Sequence, residues 1–331
     1  MKDKNIIPVL MSADKNYMRY LWVAILSMLI NKKETTTYDF YILSPEMYPA
    51  NILNEYNNLK QKYKGTQFNF IMMGDLFKNS SSKKQLLPPP TYYYLKIADI
   101  ITNYDKAIYL DPDIIVLNDL TELFNVDLSE NYVAGVKAAG YIKDLKYANL
   151  IAIKDISQYI NANSLVFNLT KIRQDNLTEK FISYSQKTYP SMDQDVLNIV
   201  CLNKILHIPF KYNMMTKYLP IIGNKKYDAS LLEEVYGREE LIEADKNPII
   251  IHYANVGEKP WNCRLPKDVY WWKYALKSNW KCLFIISFIL QYLLLKHCKK
   301  MYRFCRSLAG RCIKNKKIRN FLLSIIEKYE M

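Results

Sequence analysis

The chain has 331 residues, half of them hydrophobic and 24% charged, and a formal net charge of +14. That length can bury one large α/β domain or two smaller ones, and the composition excludes wholesale disorder. The charge is uneven: from Lys281 onward twelve basic residues face two acidic ones, so the first 280 residues are close to neutral and do not read as a nucleic-acid binder.

Taken in chain order, Ile6 to Met11 reads as a short apolar strand, followed by a helix from Tyr17 to Ile30. Tyr38 to Leu43 is a second strand, Pro49 to Lys64 a polar helix opened by a proline, and Gln67 to Met73 a third strand. Such a βαβαβ alternation predicts a parallel sheet flanked by helices. The triple proline closing Ser80 to Pro90 predicts an extended loop, and Thr91 to Ile101 a helix. Lys106 to Leu110 is a strand that runs into Asp111-Pro112-Asp113, with Ile114 to Leu117 beyond. Further on, Tyr132 to Val136 and Ser164 to Leu169 read as buried strands. Leu177 to Gln186 and Gln194 to Leu202 read as helices, and Ile249 to His252 as a strand ending on histidine.

The six cysteines are too few for a disulfide scaffold, and no CxxC pair suggests structural zinc. Neither GxGxxG nor GxxxxGKS occurs, which argues against a dinucleotide or P-loop site. No cleavable leader is expected at the N-terminus, so the expected compartment is the cytoplasm.

The chemistry concentrates at strand ends. Asp111 and Asp113 put two carboxylates at the carboxyl edge of an apolar strand, where open α/β sheets bind ligands. Ionised carboxylates so close repel, and a hard divalent cation resolves the repulsion; the plainer reading is a strand-end turn. His252 arrives at another strand end, followed by Lys259 in a short loop. A strand-end His and a Lys suit a metal–phosphate site. Asp193-Gln194-Asp195 at a helix start, and Ser12 to Tyr17 after the first strand, each have helix capping as the plain alternative.

The order of these pieces is more specific than any one of them. IPVLMSADKNYMRYLWVAILSML, TYYYLKIADIITNYDKAIYLDPDIIVLNDLTELFNVDL, YINANSLVFNL, DQDVLN and HYANVGEKPW span residues 6 to 261. Together they resemble glycosyltransferase family 8, the group of bacterial lipopolysaccharide galactosyl- and glucosyltransferases and, more distantly, glycogenin. The resemblance implies a GT-A fold, with a Rossmann-like, mostly parallel sheet flanked by helices. It implies a catalytic domain over 1–280, divided into a nucleotide-sugar half (1–130) and an acceptor half that completes the metal site (131–280). Asp111 and Asp113 match the DxD carboxylates that, with His252, hold Mn²⁺ (or Mg²⁺) against the diphosphate of a UDP-sugar. Ser12, Asp14, Asn16 and Tyr17 fall where the family holds uridine, and Pro112 lies between the two metal carboxylates. Asn161 and Ala162 match a sugar-facing pair, Asp193 a carboxylate that grips sugar hydroxyls, and Gln194 the glutamine near the anomeric carbon. Lys259 matches a lysine on the diphosphate. Asp195 is a conceivable nucleophile should transfer, expected with retention, run through a covalent intermediate.

Three positions depart from the pattern. Tyr94 stands where the family often has arginine, Asn163 where it has glycine, and Ala138 near an acid that some members use. The tail, 281–331, combines a 14-residue apolar run, Cys282 to Leu295, with a polybasic stretch from Lys296 to Arg319. The run is too short to span a bilayer, and the pair predicts a peripheral anchor on anionic lipid at the inner face of the membrane. The expected partners are therefore a UDP-sugar, a glycan or lipid-linked glycan acceptor, and a membrane surface, with no nucleic acid. The alternative is a non-catalytic relative that binds a glycan or partner at the membrane.

Overall fold

A computed structural model describes residues 5–78, 80, 89–219, 221–222, 229–255 and 257–296. The chain divides into two compact units, Met1–His252 and a second beginning at Tyr253.

The first unit opens as expected: β1 (Asn5–Ser12), the helix Met18–Asn31, β2 (Thr36–Ser44), the helix Ala50–Lys62 and β3 (Gln67–Met72). All nine residues of β2 are buried, Thr36, Thr37, Asp39 and Ser44 along with its aromatic and aliphatic side chains, as in a strand covered on both faces. Ala50–Lys62 instead buries Ile52, Tyr56 and Leu59, a single stripe at helical spacing, and leaves its Asn and Lys face to water.

Next come β4 (Lys106–Leu110), β5 (Ile114–Val116), β6 (Val133–Lys137), β7 (Ile160–Asn168), β8 (Ile205–His207), β9 (Met214–Met215) and β10 (Ile250–His252). Seven of the strands form one sheet in the order β3-β2-β1-β4-β7-β6-β8. It is mostly parallel, but β7 runs antiparallel to both β4 and β6. β5, β10 and β9 form a separate three-stranded sheet. The chain thus leaves the large sheet at Leu110 and enters the small one at Ile114, and Asp111-Pro112-Asp113 is the crossing.

Three local expectations change. Pro89 and Pro90 do not continue an extended loop; they open a 3-10 helix, Pro89–Lys96. A first helical turn has no use for the N–H groups that proline lacks, so prolines are tolerated there. The single helix expected over Thr91 to Ile101 is accordingly a 3-10 segment followed by one α-turn, Ile97–Ile100. The helix expected to begin at Gln194 begins two residues earlier, as Met192–Val200, which places Asp193, Gln194 and Asp195 all in its first turn. The helices Ser230–Tyr236 and Arg238–Lys246 were not legible, being short and carrying only two buried residues each.

The second unit holds the helices Asp268–Ala275 and Lys281–Lys296. Its core is aromatic: Trp271, fully buried, lies 5.5 Å from the Trp261 ring and 5.2 Å from Phe284. Among the described residues no helix is long and apolar enough to cross a membrane. The polybasic segment beyond Lys296, with Cys298, Cys305 and Cys312, lies outside them.

Gly135 in β6 shows how tightly the large sheet packs against its own ladder. A Cβ added there would lie 2.6 Å from Ile160 Cδ1 and 2.9 Å from Leu165 Cδ2. A branched side chain cannot be taken up by swinging those two methyls alone. Gly135→Val should therefore lower unfolding stability by about 1–3 kcal/mol, measured by urea titration; an unchanged midpoint would contradict this packing.

Candidate active site

The site grows from the crossing between the sheets. β10 pairs antiparallel with β5, and the register sets His252 opposite Ile114, the residue after Asp113. His252 Nε2 lies 3.7 Å from Asp113 Oδ1, and both residues are buried. On the other side β7 runs beside β4, and the Asp111 N–H donates to the Asn163 carbonyl at 3.0 Å. Strand pairing alone thus brings Asp111, Asp113, Asn163 and His252 together, from three separate stretches of chain.

Asn163 lies among the expected metal ligands. Its Nδ2 donates to Asp111 Oδ2 and lies 2.8 Å from His252 Nε2. Asp111 Oδ1 accepts from the Tyr109 hydroxyl. Among the described residues no three His, Cys, Asp or Glu side chains are already gathered as a metal-holding group, and the carboxamide of Asn163 occupies the gap between a carboxylate and an imidazole. The donor set itself, two carboxylates and a ring nitrogen, suits a hard divalent cation.

The loop after β1 is built by capping, the plain reading of its sequence. Asp14 Oδ1 accepts from the N–H groups of Asn16 and Tyr17, at 2.9 and 3.0 Å, and so turns the chain into the helix Met18–Asn31. The cap leaves the Tyr17 ring only half-buried, T-shaped against Tyr20 at 5.5 Å. Burial first, and then the Asp113 carboxylate, push the Tyr17 hydroxyl up from its ordinary range. Ser12, at the end of β1, is buried, and its Oγ has no hydrogen-bond partner among the described residues.

The helix Met192–Val200 supplies the rest. Gln194 Oε1 accepts from Asn161 Nδ2 at 2.9 Å and from the Ala162 N–H at 3.2 Å. The Asp195 carboxylate is fully buried and accepts from Tyr159, from Tyr147 and from the Ser191 N–H. Burial raises its pKa and these donors oppose the rise. Asp193 is different. Its neighbour is the Tyr94 hydroxyl, 3.0 Å from Oδ2, on a fully buried ring stacked 4.4 Å from Tyr109. Burial lifts the Asp193 carboxyl from 3.8 to about 7, and the neutral phenol, with the backbone N–H groups of Asp193 and Gln194, only partly opposes it. An arginine at position 94 would have held the charge; tyrosine lets burial win.

Lys259 belongs to the second unit, where its ammonium donates to the Tyr253 carbonyl at 2.7 Å. Ala138 is buried in a separate cluster with Ile151 and Tyr159. The residues that sequence reasoning missed are Asn213, Tyr147 and Tyr159. Tyr159 opens the YINANSLVFNL stretch but carries no signal there of its role, and Asn213 and Tyr147 lie outside the quoted stretches; all three become visible only as hydrogen-bond partners in the folded chain.

With this geometry in place, comparison with known proteins decides the family. Residues 8–264 match the profile of Glycosyl transferase family 8. The chain belongs to that family. It is 28% identical over 271 residues to General stress protein A of Bacillus subtilis, covering 79% of this chain and 90% of that one. It is 26% identical to the lipopolysaccharide 1,2-glucosyltransferase of Escherichia coli K12, over 54% of this chain and 51% of the relative. A solved structure of the galactosyltransferase LgtC, in complex with donor and acceptor sugar analogs, superposes with a TM-score of 0.69 at 21% identity, covering 83% of this chain and 99% of the other. The protein is a glycosyltransferase, and its mixed sheet flanked by helices is the GT-A arrangement expected from the sequence.

In this family 8 enzyme the tyrosine–aspartate pair has a measurable consequence. A carboxyl with pKa 3.8 unfolded and about 7 folded binds its proton more tightly in the native state. Its contribution to stability is full below about pH 4 and is lost as pH rises through about 7. Asp193→Asn should flatten that fall and raise the melting temperature by several degrees at about pH 8, with little change at about pH 4. A variant less stable than the parent at the higher pH would contradict it.

Proposed function

We propose that this glycosyltransferase moves a hexose, glucose or galactose, from a UDP-sugar to a hydroxyl of a surface-glycan acceptor of lipopolysaccharide or capsule type, with retention at the anomeric carbon. The observation that carries the reading is the β5–β10 register, which delivers His252 to the carboxylates of Asp111 and Asp113. Those three residues would hold Mn²⁺ or Mg²⁺. Such an ion supplies stabilisation of the negative charge that builds on a departing diphosphate.

The chain's own groups divide the remaining work. Tyr17 offers a half-buried ring on which uracil can stack, beside the backbone turn capped by Asp14. Ser12 and Asn16 flank that turn and complete the uridine-binding side, with Pro112 holding the two carboxylates apart. Asn161, Ala162 and Asp193 face the sugar, and the resemblance assigns Lys259 to the diphosphate. Gln194, held by Asn161 and the Ala162 N–H, lies near the anomeric carbon. An amide is a poor nucleophile, and the Asp195 carboxylate is buried beneath two tyrosine hydroxyls and a backbone N–H. Both facts favour departure and attack on one face of the sugar over a covalent glycosyl–enzyme step. What the protein must then supply is the aim of the acceptor hydroxyl.

The same reading places the enzyme peripherally on the cytoplasmic face of a membrane, through the apolar and polybasic tail. The structure refines how to test that. Phe284, in Lys281–Lys296, packs against Trp271, so removing everything from residue 281 would damage the second unit's aromatic core. Replacing Lys299, Lys300, Arg303 and Arg306 by glutamine is the cleaner change. Each base near an anionic surface contributes about 1 kcal/mol, so sedimentation with phosphatidylserine vesicles should weaken by roughly a hundredfold or more. Undiminished sedimentation would remove the anchor.

For the chemistry, UDP release from a UDP-glucose and UDP-galactose panel should depend on added Mn²⁺. Asp113→Asn should cut it by about a hundredfold or more with the circular dichroism unchanged. Full activity in that variant would overturn the metal assignment.

A further inference from the structure

We infer that Asn213 is a positioning residue: together with Asn161 and Gln194 it forms an amide relay that puts the proton of His252 on Nδ1 and leaves Nε2, 3.7 Å from Asp113 Oδ1 and 2.8 Å from Asn163 Nδ2, as the unprotonated nitrogen. The juxtaposition is direct. Asn213, fully buried after the 3-10 turn Phe210–Tyr212, lies with its Oδ1 2.8 Å from His252 Nδ1. Its Nδ2 donates to Asn161 Oδ1 at 2.8 Å. Asn161 Nδ2 in turn donates to Gln194 Oε1 at 2.9 Å, and Gln194 Nε2 to the Tyr159 hydroxyl at 3.2 Å. Tyr159 donates to the Asp195 carboxylate.

The direction of this chain is imposed, because several members can only play one role. A backbone N–H can only donate. The Ala162 N–H lies 3.2 Å from Gln194 Oε1, so that end of the glutamine must be its oxygen. Asn161 must then offer it NH₂. The Asn163 N–H lies 3.3 Å from the other end of the Asn161 side chain, which fixes that end as oxygen independently. An oxygen there requires NH₂ from Asn213, and Asn213 must therefore present its oxygen to His252. An oxygen facing Nδ1 at hydrogen-bond distance demands Nδ1–H. In a neutral imidazole the other nitrogen then carries only its lone pair. The amide orientations are thus settled at two backbone anchors, without appeal to how the amides are drawn.

This rests on the proposed metal site in one respect: a lone pair at Nε2 is the form in which histidine ligates a cation. The Asn163 Nδ2, 2.8 Å from Nε2, calls for the same lone pair; the relay holds the proton on Nδ1 from the other side of the ring, whether or not that amide is present. The relay also joins two parts of the site that sequence reading treats separately. Asn161 and Gln194, assigned to the sugar and the anomeric carbon, are the same groups that orient Asn213, and through it the histidine.

Imidazole ¹⁵N NMR of the metal-free protein tests the relay directly. The chain has only three histidines, and the His252 signals are those lost in His252→Gln. The relay predicts a protonated Nδ1 and an unprotonated Nε2 in the parent; a dominant Nε2–H form would overturn it. In an Asn163→Gly background, which removes the other group that calls for a lone pair on Nε2, Asn213→Leu removes the acceptor and should populate the Nε2–H form and weaken Mn²⁺ binding, read by electron paramagnetic resonance, by about 10–100-fold. Asn213→Asp keeps an oxygen on Nδ1–H and should keep the tautomer, although it loses the donor to Asn161 Oδ1 and so breaks the relay beyond that point. If the leucine variant does not fold, the parent and aspartate spectra still decide. If the leucine variant keeps the parent's tautomer and affinity, Asn213 has no positioning role. A parent that shows Nδ1–H yet binds no Mn²⁺ would contradict the metal reading while leaving the relay standing.

Discussion

The antiparallel pairing of Ile114 with His252 is the constraint on which the site depends. Asp111 and Asp113 are near neighbours in sequence and would meet at any strand end. His252 lies 139 residues after Asp113 and has no reason to approach it except this ladder. Side chains alternate faces along a strand, so a slip of one residue would turn the imidazole to the opposite side. The ladder is short, three residue pairs, and is supported from behind by β9, which pairs with Ile251 and His252. Its residues Ile114, Ile115, Val116, Ile250 and Ile251 are fully buried, so the register is held by packing on both strands.

From that constraint the chemistry spreads outward through buried polar groups. Burying so many amides, phenols and carboxylates is tolerable only when each finds a partner. Here the partners form a connected set from Tyr109 and Asp111 through Asn163 and His252 to Asn213, Asn161, Gln194 and Asp195. Asp193 is answered by the Tyr94 phenol and by the backbone N–H groups of Asp193 and Gln194, yet burial outweighs them and its pKa is raised. Tyrosine at position 94 and asparagine at 163 are thus two departures with opposite character. The first removes a charge and leaves its partner strained electrostatically; the second adds a polar group and knits it to two expected ligands.

Much of this was legible in the sequence, and for identifiable reasons. The βαβαβ opening declared itself because buried parallel strands are continuous apolar runs and the helices between them carry a helical stripe. The DxD pair stood out because charge at the end of an apolar strand is conspicuous, and His252 for the same reason. That Asp111-Pro112-Asp113 is a passage between two sheets was not legible, since strand partners are set by tertiary packing. Asn213 gave no signal at all: a lone asparagine beside a two-residue strand has no periodicity. The start of Met192–Val200 was misplaced because Met192, at φ 52°, adopts a left-handed backbone that apolar pattern does not reveal. The prolines at 89 and 90 were read by their usual role in extended chain, and the structure uses their other one, opening a helical turn.

The charge that dominates the composition proves peripheral to all of this. The site's carboxylates, amides and phenols lie in the first unit, while most of the surplus of lysine and arginine lies from residue 281 onward. The most direct measurement of the central claim is anomalous diffraction from crystals of the full chain grown with Mn²⁺ and UDP. The account predicts a manganese peak coordinated by Asp111, Asp113 and the Nε2 of His252, with the diphosphate bound to it. A nucleotide bound with no cation at those residues, or a cation held elsewhere, would contradict it.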